Sequence, residues 1–197
     1  MARQILQILR LVIILITTLV ANPSWAREQE LSRAHDHAHG WAKTVVSGKE
    51  RTTTLQFYFH DIVSGKYPTA IPVAKPIQKN PHVSNGFGIL VMADDPLTVG
   101  PDPKSKLVGR AQGLYGSACQ DEVGLVMALS YNFCEGKLNG SSISIMGRNS
   151  IMKRVRELPI VGGTGFFRMA RGYALAQTYW LNDKGDAIVG YNVTIVH

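Results

Sequence analysis

From Thr52 onward every apolar stretch of the chain is short. Clusters of Gly, Pro, Asn, Asp and Ser separate these stretches, and within most of them apolar and polar residues alternate. A period of two suits strands, whose side chains point alternately to opposite faces, and not helices, whose faces repeat every 3.6 residues. About eight such stretches follow one another: Thr53–Val63, Phe87–Ala93, Leu107–Cys119, Leu125–Cys134, Ser141–Gly147, Leu158–Val161, Phe166–Tyr179 and Ala187–Val196. No long helical pattern and no internal repeat interrupts them. The expected class is all-β, an eight-stranded antiparallel β-barrel with a central pocket, because closure leaves no exposed edge. A sandwich is the alternative.

One stretch has an unusual filling. In Ser105–Tyr115, one face of the strand carries Leu107, Gly109, Ala111, Gly113 and Tyr115. A face of Gly, Ala and Gly cannot fill a core. It leaves room either for a neighbouring backbone, at a bend in the barrel wall, or for a ligand in a cavity closed by the Tyr115 hydroxyl.

Residues 1–26 have the form of a secretory signal peptide. Arg3 and Arg10 precede the apolar run Leu11–Val20, and Ser24-Trp25-Ala26 places small residues where the peptidase reads. The run is short for a membrane span, so after cleavage the protein is expected to be secreted with no membrane attachment. Residues 27–50 read as a flexible polar arm and 51–197 as the barrel domain. The arm holds His35-Asp36-His37-Ala38-His39, whose spacing suits no closed metal site. No metal and no cofactor is expected.

The whole chain has 21 basic and 14 acidic residues, a net charge of +7. Without the leader's two arginines the balance is 19 against 14, or +5. The charges are dispersed and no basic block is interleaved with aromatics, which argues against nucleic acid as a partner. The two cysteines, Cys119 and Cys134, would lie at opposite ends of a hairpin turning at Gln120–Gly124. At about 3.3 Å per residue they stand roughly 30 Å apart, so two buried thiols are expected rather than a disulfide.

Residues 64–85, with four prolines, read as a long loop or irregular edge segment. Asp94–Thr98 reads as the end of a strand. Asn149–Glu157 reads as a helical turn or a bulged crossing. Gly162-Gly163-Thr164-Gly165 reads as a tight turn, since no Lys-Ser/Thr and no helix follow to make a phosphate loop. There is no nucleophile elbow and no dinucleotide fingerprint.

The candidate chemistry rests on ionisable groups near strand ends: Asp61, Asp94, Asp95, Arg110, Arg156 and Arg171. Asp61 continues the face of Phe57 and Phe59, where an unpaired carboxylate is costly. An Asp and an Arg aimed into one apolar cavity could move a proton and hold a phenolate. Surface or inter-subunit ion pairs are the other reading of this set. Asn139-Gly140-Ser141, in a turn, and Asn192-Val193-Thr194, in a strand, are N-glycosylation sequons.

Several of these stretches together resemble the plant dirigent family. They are Phe57-Tyr58-Phe59-His60-Asp61-Ile62, Asp94-Asp95-Pro96-Leu97-Thr98, Val108-Gly109-Arg110-Ala111-Gln112-Gly113-Leu114-Tyr115, Glu135-Gly136-Lys137, Gly147-Arg148-Asn149, Val161-Gly162-Gly163-Thr164-Gly165, Ala170-Arg171-Gly172-Tyr173-Ala174 and Tyr191-Asn192-Val193. They fall in order from about Thr54 to the end of the chain.

The resemblance implies an eight-stranded barrel secreted to the apoplast and cell wall as a homo-oligomer, a trimer or dimer. It implies a phenolic substrate and no oxidising activity. A laccase or peroxidase makes phenoxy radicals, and the dirigent protein steers their coupling in lignan-type phenylpropanoid biosynthesis. Other members resemble lyases, the pterocarpan synthases, which dehydrate an isoflavanol through a quinone methide and close a ring. A non-catalytic wall or defence binding module is the third reading.

Carried over by motif, Asp61 and Arg156 take the catalytic positions, and Tyr115, Asn149 and Phe59 line the substrate. Asn149 stands where the pinoresinol-forming branch has an aspartate. That departure shifts the resemblance toward the branch with the pterocarpan synthases, and it leaves proton transfer to Asp61 or water.

Overall fold

The computed structural model describes residues 42–47, 50–77 and 86–197. Ten strands run in sequence: β1 (Ala42–Ser47), β2 (Glu50–Asp61), β3 (Ala70–Ala74), β4 (Leu90–Thr98), β5 (Leu107–Ser117), β6 (Gly124–Phe133), β7 (Ser142–Ser150), β8 (Arg156–Thr164), β9 (Arg171–Leu181) and β10 (Ala187–Val196). Short 3-10 turns occupy Gly136–Leu138 and Gly165–Phe167.

Eight strands form a closed antiparallel ring in the order β2-β10-β9-β8-β7-β6-β5-β4. The seam is short. β2 and β4 meet only at Tyr58 opposite Thr98 and Phe59 opposite Leu97. Beyond the seam the two strands part, and each takes an outside partner, β1 on β2 and β3 on β4. A side-chain contact pins the closure. Thr98 Oγ1 donates to the Gly100 carbonyl at 2.8 Å, so it accepts from His60 Nε2–H at 2.6 Å. His60 is buried, and burial lowers its pKa, which keeps the ring neutral.

Alternation fills the barrel. Leu55, Phe57 and Phe59 of β2, Met127, Leu129, Tyr131 and Phe133 of β6, and Val189, Tyr191, Val193 and Ile195 of β10 all point inward. One end of the interior is plugged by rings. Phe167 lies 5.7 Å from Phe133 and 5.2 Å from His197, whose Nε2 meets Thr53 Oγ1 at 2.9 Å.

The small residues of β5 are explained by the neighbouring backbone. A Cβ on Gly109 would sit 2.4 Å from the Asn132 carbonyl oxygen, and one on Gly113 2.3 Å from that of Ala128. Gly113 also has φ of +142°, which L side chains rarely adopt. β5 and β6 can therefore close together only with glycine at these positions. Val108 is an extra residue in β5, where the register shifts opposite Leu97/Thr98, and this shift turns its side chain into the core.

Several boundaries differ from the sequence expectation. β4 does not end at Ala93 but runs through Asp94–Thr98. Pro96 sits opposite Arg110, where the ladder loses only one donor. Gly162, Gly163 and Thr164 belong to β8, and only Gly165 takes a left-handed φ of +60°. Phe166 and Phe167 belong to a 3-10 turn, so β9 begins at Arg171. Asn149 is in β7, not in a helical turn. The stretch 64–85 contains the edge strand β3, and the stretch read as a polar arm contains β1. Residues 35–39 lie outside the described residues. No disulfide joins Cys119 and Cys134, and neither is the buried thiol expected: Cys119 is half-buried, and Cys134 is exposed because it follows the last inward residue of β6.

Candidate functional site

The interior polar groups gather toward the end opposite the aromatic plug. β2 and β7 end there with Asp61 and Asn149, β8 begins there with Arg156, and β5 brings Tyr115. In an antiparallel barrel these strand ends share one rim, which brings Tyr115 onto Asp61, 54 positions away in the chain.

Tyr115 donates its hydroxyl to Asp61 Oδ1 at 3.1 Å. Burial pushes the Asp61 carboxyl up to about 6, partly offset by the Tyr115 hydrogen bond, with Asp186 adding a little repulsion. Burial and the Asp61 charge push the Tyr115 phenol well above its usual range, so it remains a donor.

A second carboxyl lies deeper. Asp95 is fully buried on the inward face of β4, continuing Val91 and Ala93. Its Oδ1 accepts from Thr69 Oγ1 at 2.5 Å, and Oδ2 has no partner among the described residues. Burial, then the Asp61 charge, push its pKa up to about 8. At neutral pH Asp95 is thus an acid whose proton no protein group takes, beside an Asp61 that is mostly ionised. The sequence brings Asp95 forward only as one of several ionisable groups near strand ends, because a strand ending at Ala93 gives it no inward position. Continuing the alternation across Pro96 would have turned Asp95 inward.

Arg156 is buried, and its partners are all neutral. Nε donates to Asn149 Oδ1 at 3.1 Å, and Nη1 to Thr178 Oγ1 at 3.0 Å and to the Lys153 carbonyl at 3.4 Å. Burial lowers its pKa, but a guanidinium stays charged at neutral pH. No carboxylate lies within salt-bridge distance of it among the described residues. An aspartate at position 149 would pair with this charge, whereas Asn149 positions it and leaves it available. Among the described residues Asn149 Nδ2 reaches only the Met127 sulfur, at 3.7 Å.

The buried rings of Tyr131 and Tyr191, with centroids 5.5 Å apart, pack against Phe57 and Phe59. Burial raises the Tyr191 pKa, while the Tyr131 hydroxyl and the Arg156 charge lower it and the Asp61 and Asp95 charges raise it, so all three charged groups act on this phenol. Phe59 therefore belongs to this aromatic wall.

Other candidates fall elsewhere. Arg110 pairs with Asp94, and Arg171 with Glu50, both on the outer surface, where such pairs contribute ~0–1 kcal/mol. Asp186 anchors a turn, accepting from Val63 N and Ser64 N at 2.9 Å and from Ser64 Oγ at 2.6 Å. Asn139 is exposed beside the first 3-10 turn, and Asn192 is exposed on the outer face of β10. No group of three or more potential metal ligands occurs among the described residues.

The arrangement is a closed antiparallel barrel with acid, base and fixed cation set in an aromatic interior. Such an interior carries the groups needed to hold a phenolic oxygen and manage its proton. Residues 52–196 match the family model described as Dirigent-like protein. The chain is 59% identical to Dirigent protein 23 of Arabidopsis thaliana, over 81% of this chain and 86% of that one. It is 52% identical to Pterocarpan synthase 1 of Glycyrrhiza echinata, over 76% of this chain and 80% of that one. The solved structure of the pterocarpan synthase dirigent protein GePTS1 superposes with a TM-score of 0.71 at 51% identity, covering 78% of this chain and 88% of that one. The chain belongs to the dirigent family. Dirigent-type function and a phenolic substrate context come with that membership.

Proposed function

We propose that the barrel binds a phenylpropanoid-derived phenoxy radical or quinone methide and fixes which face reacts. The observation that carries this reading is Arg156, a buried cation held only by neutral groups and so placed to receive an anionic oxygen. In radical coupling, a laccase or peroxidase supplies the one-electron oxidation and the barrel supplies orientation. About 1.4 kcal/mol between two faces gives a tenfold preference.

A second reading, favoured by Asn149 and by the similarity to pterocarpan synthases, is a dehydrating cyclase. Asp61 takes the phenol proton while Asp95 protonates the leaving hydroxyl, which departs as water and leaves a neutral quinone methide. An internal hydroxyl then adds to the exocyclic carbon. Its proton passes to Asp95 and the ring oxygen recovers one from Asp61, so both carboxyls return to their starting states. Arg156 stabilises the negative charge on the ring oxygen.

In this proposal the protein acts outside the cell, in the apoplast, after loss of residues 1–26, and as a homo-oligomer. A stripe of side chains supports association of copies. Ile71, Met92, Leu114, Ala128 and Met146 lie in register across five strands on the outer face, an uncharged row about 20 Å long at ~4.8 Å per strand.

Chiral chromatography tests the function. Coniferyl alcohol with a one-electron oxidant should yield an enantiomeric excess in the presence of the protein. Ring closure of an isoflavanol without oxidant would select the cyclase reading, and racemic or absent product in both arms would overturn the proposal.

A further inference from the structure

We propose that the outer face of β2, β10 and β9 carries a second ligand site, for a neutral sugar chain. A groove of about 550 Å³ crosses the three strands there, within the range of small-molecule sites. Its outward side chains are Gln56 and Tyr58 of β2, Asn192 of β10, and Gln177 and Tyr179 of β9. Register sets them side by side: Asn192 is opposite Gln56, and Gly190 lies between Tyr58 and Gln177.

Gly190 makes the floor. It lies in extended backbone open to any residue, so its lack of a side chain answers no conformational need of its own. A Cβ there would meet the Tyr58 ring at 3.4 Å and begin to fill the groove. The register shift at Ile188/Val189 leaves Tyr179 as an extra residue of β9, 62% exposed. Its ring meets Tyr58 at 82° with centroids 5.8 Å apart, forming an aromatic corner.

The lining chemistry selects the ligand. No charged residue lines the groove among the described residues, so an anionic ligand finds no counter-ion. Three amides each offer a donor and an acceptor, the pattern needed by hydroxyl groups that do both. Tyrosine rings provide flat apolar faces with polar tips. A phenolic molecule could stack there but would leave most of the amides unused. A hexopyranose has an apolar C–H face for the rings and a hydroxyl on nearly every carbon for the amides. Phe57, Thr178 and Tyr191 also border the groove, but Phe57 and Tyr191 are buried in the aromatic interior and Thr178 holds Arg156, so the groove lies on the opposite face of the same strands and its failure would leave the interior reading untouched.

The test uses the full protein from a host that adds no N-glycans, so that Asn192 is unmodified. Cellohexaose and xylohexaose are titrated by calorimetry in about 0.5 M salt, which screens surface charge. Either or both should bind, and Tyr179→Ala and Gly190→Val should each weaken binding at least about tenfold. Circular dichroism and interior product chirality should stay unchanged. Three outcomes would overturn the proposal: no binding of either sugar, equal binding by the variants, or binding seen only with polygalacturonate and lost in salt. A change in sedimentation of the two variants would also overturn it, since the groove would then be filled by a second copy.

Discussion

Tyr115 and Asp61, 54 residues apart in the chain, share a hydrogen bond of 3.1 Å at the rim of the barrel. The bond does two things. It holds the carboxylate oriented, and it opposes the rise in pKa that burial imposes. Tyr115→Phe keeps the ring and removes the donor. Asp61 should then titrate above its value of about 6, and the acid limb of the pH–rate profile should move up with it. An unmoved limb would show that Asp61 is not the titrating base.

Asp61 and Asp95 act as a coupled pair, with values pushed up to about 6 and about 8. Turnover or selectivity should follow a bell between those limits. Asp95→Asn keeps a group able to hydrogen-bond but carries no titrating proton, so it should remove the alkaline limb. A bell unchanged in Asp95→Asn would exclude the deep carboxyl from proton transfer.

The same carboxyl leaves a mark on stability. The unfolded Asp95 loses its proton near pH 4, whereas the folded one keeps it to about 8. Over that window the folded state binds more protons, so stability should fall as pH rises. Chemical denaturation from pH 4 to 8 should show this slope, and Asp95→Asn should flatten it. Asp186 has the opposite sign. Its pKa is lowered chiefly by the Ser64 hydroxyl, so its contribution is present above about pH 4 and is lost as pH falls through the depressed value. Asp186→Asn should lower Tm at neutral pH and narrow the gap to wild type in acid.

Arg156 and Asn149 make the most direct test of the chemistry. Arg156→Gln should reduce turnover by about 10²–10³ if the guanidinium stabilises developing charge. Asn149→Asp should pair that charge and lower activity through an intact fold, followed by the near-ultraviolet signal of Tyr131 and Tyr191. Higher activity in Asn149→Asp would show that the neutral partner does not serve to keep Arg156 available.

Gly113→Ala puts a methyl group into the Ala128 carbonyl on a backbone of positive φ. A loss on the order of 3 kcal/mol or more is expected, with failure to close the barrel in the worst case. Near-wild-type unfolding by urea would contradict the tight β5–β6 contact.

By itself the sequence determined the eight strands of the barrel in outline, their antiparallel order and the barrel class, but not the edge strands β1 and β3. Alternation and turn residues are local, written in neighbours one to four positions apart. It also brought Asp61, Tyr115, Asn149 and Arg156 forward as candidates, through motifs and family resemblance. Tertiary structure decided what those groups can do. The depth of Asp95 depends on a strand continuing past a proline, and its raised pKa on water excluded by the surrounding strands. Whether the β5 glycines admit a ligand or a backbone was settled by the position of β6. Arg156 is available because Thr178 and Asn149, from different strands, are both neutral. Burial, charge balance and close approach are sums over residues distant in the chain, and only the closed barrel brings those residues together.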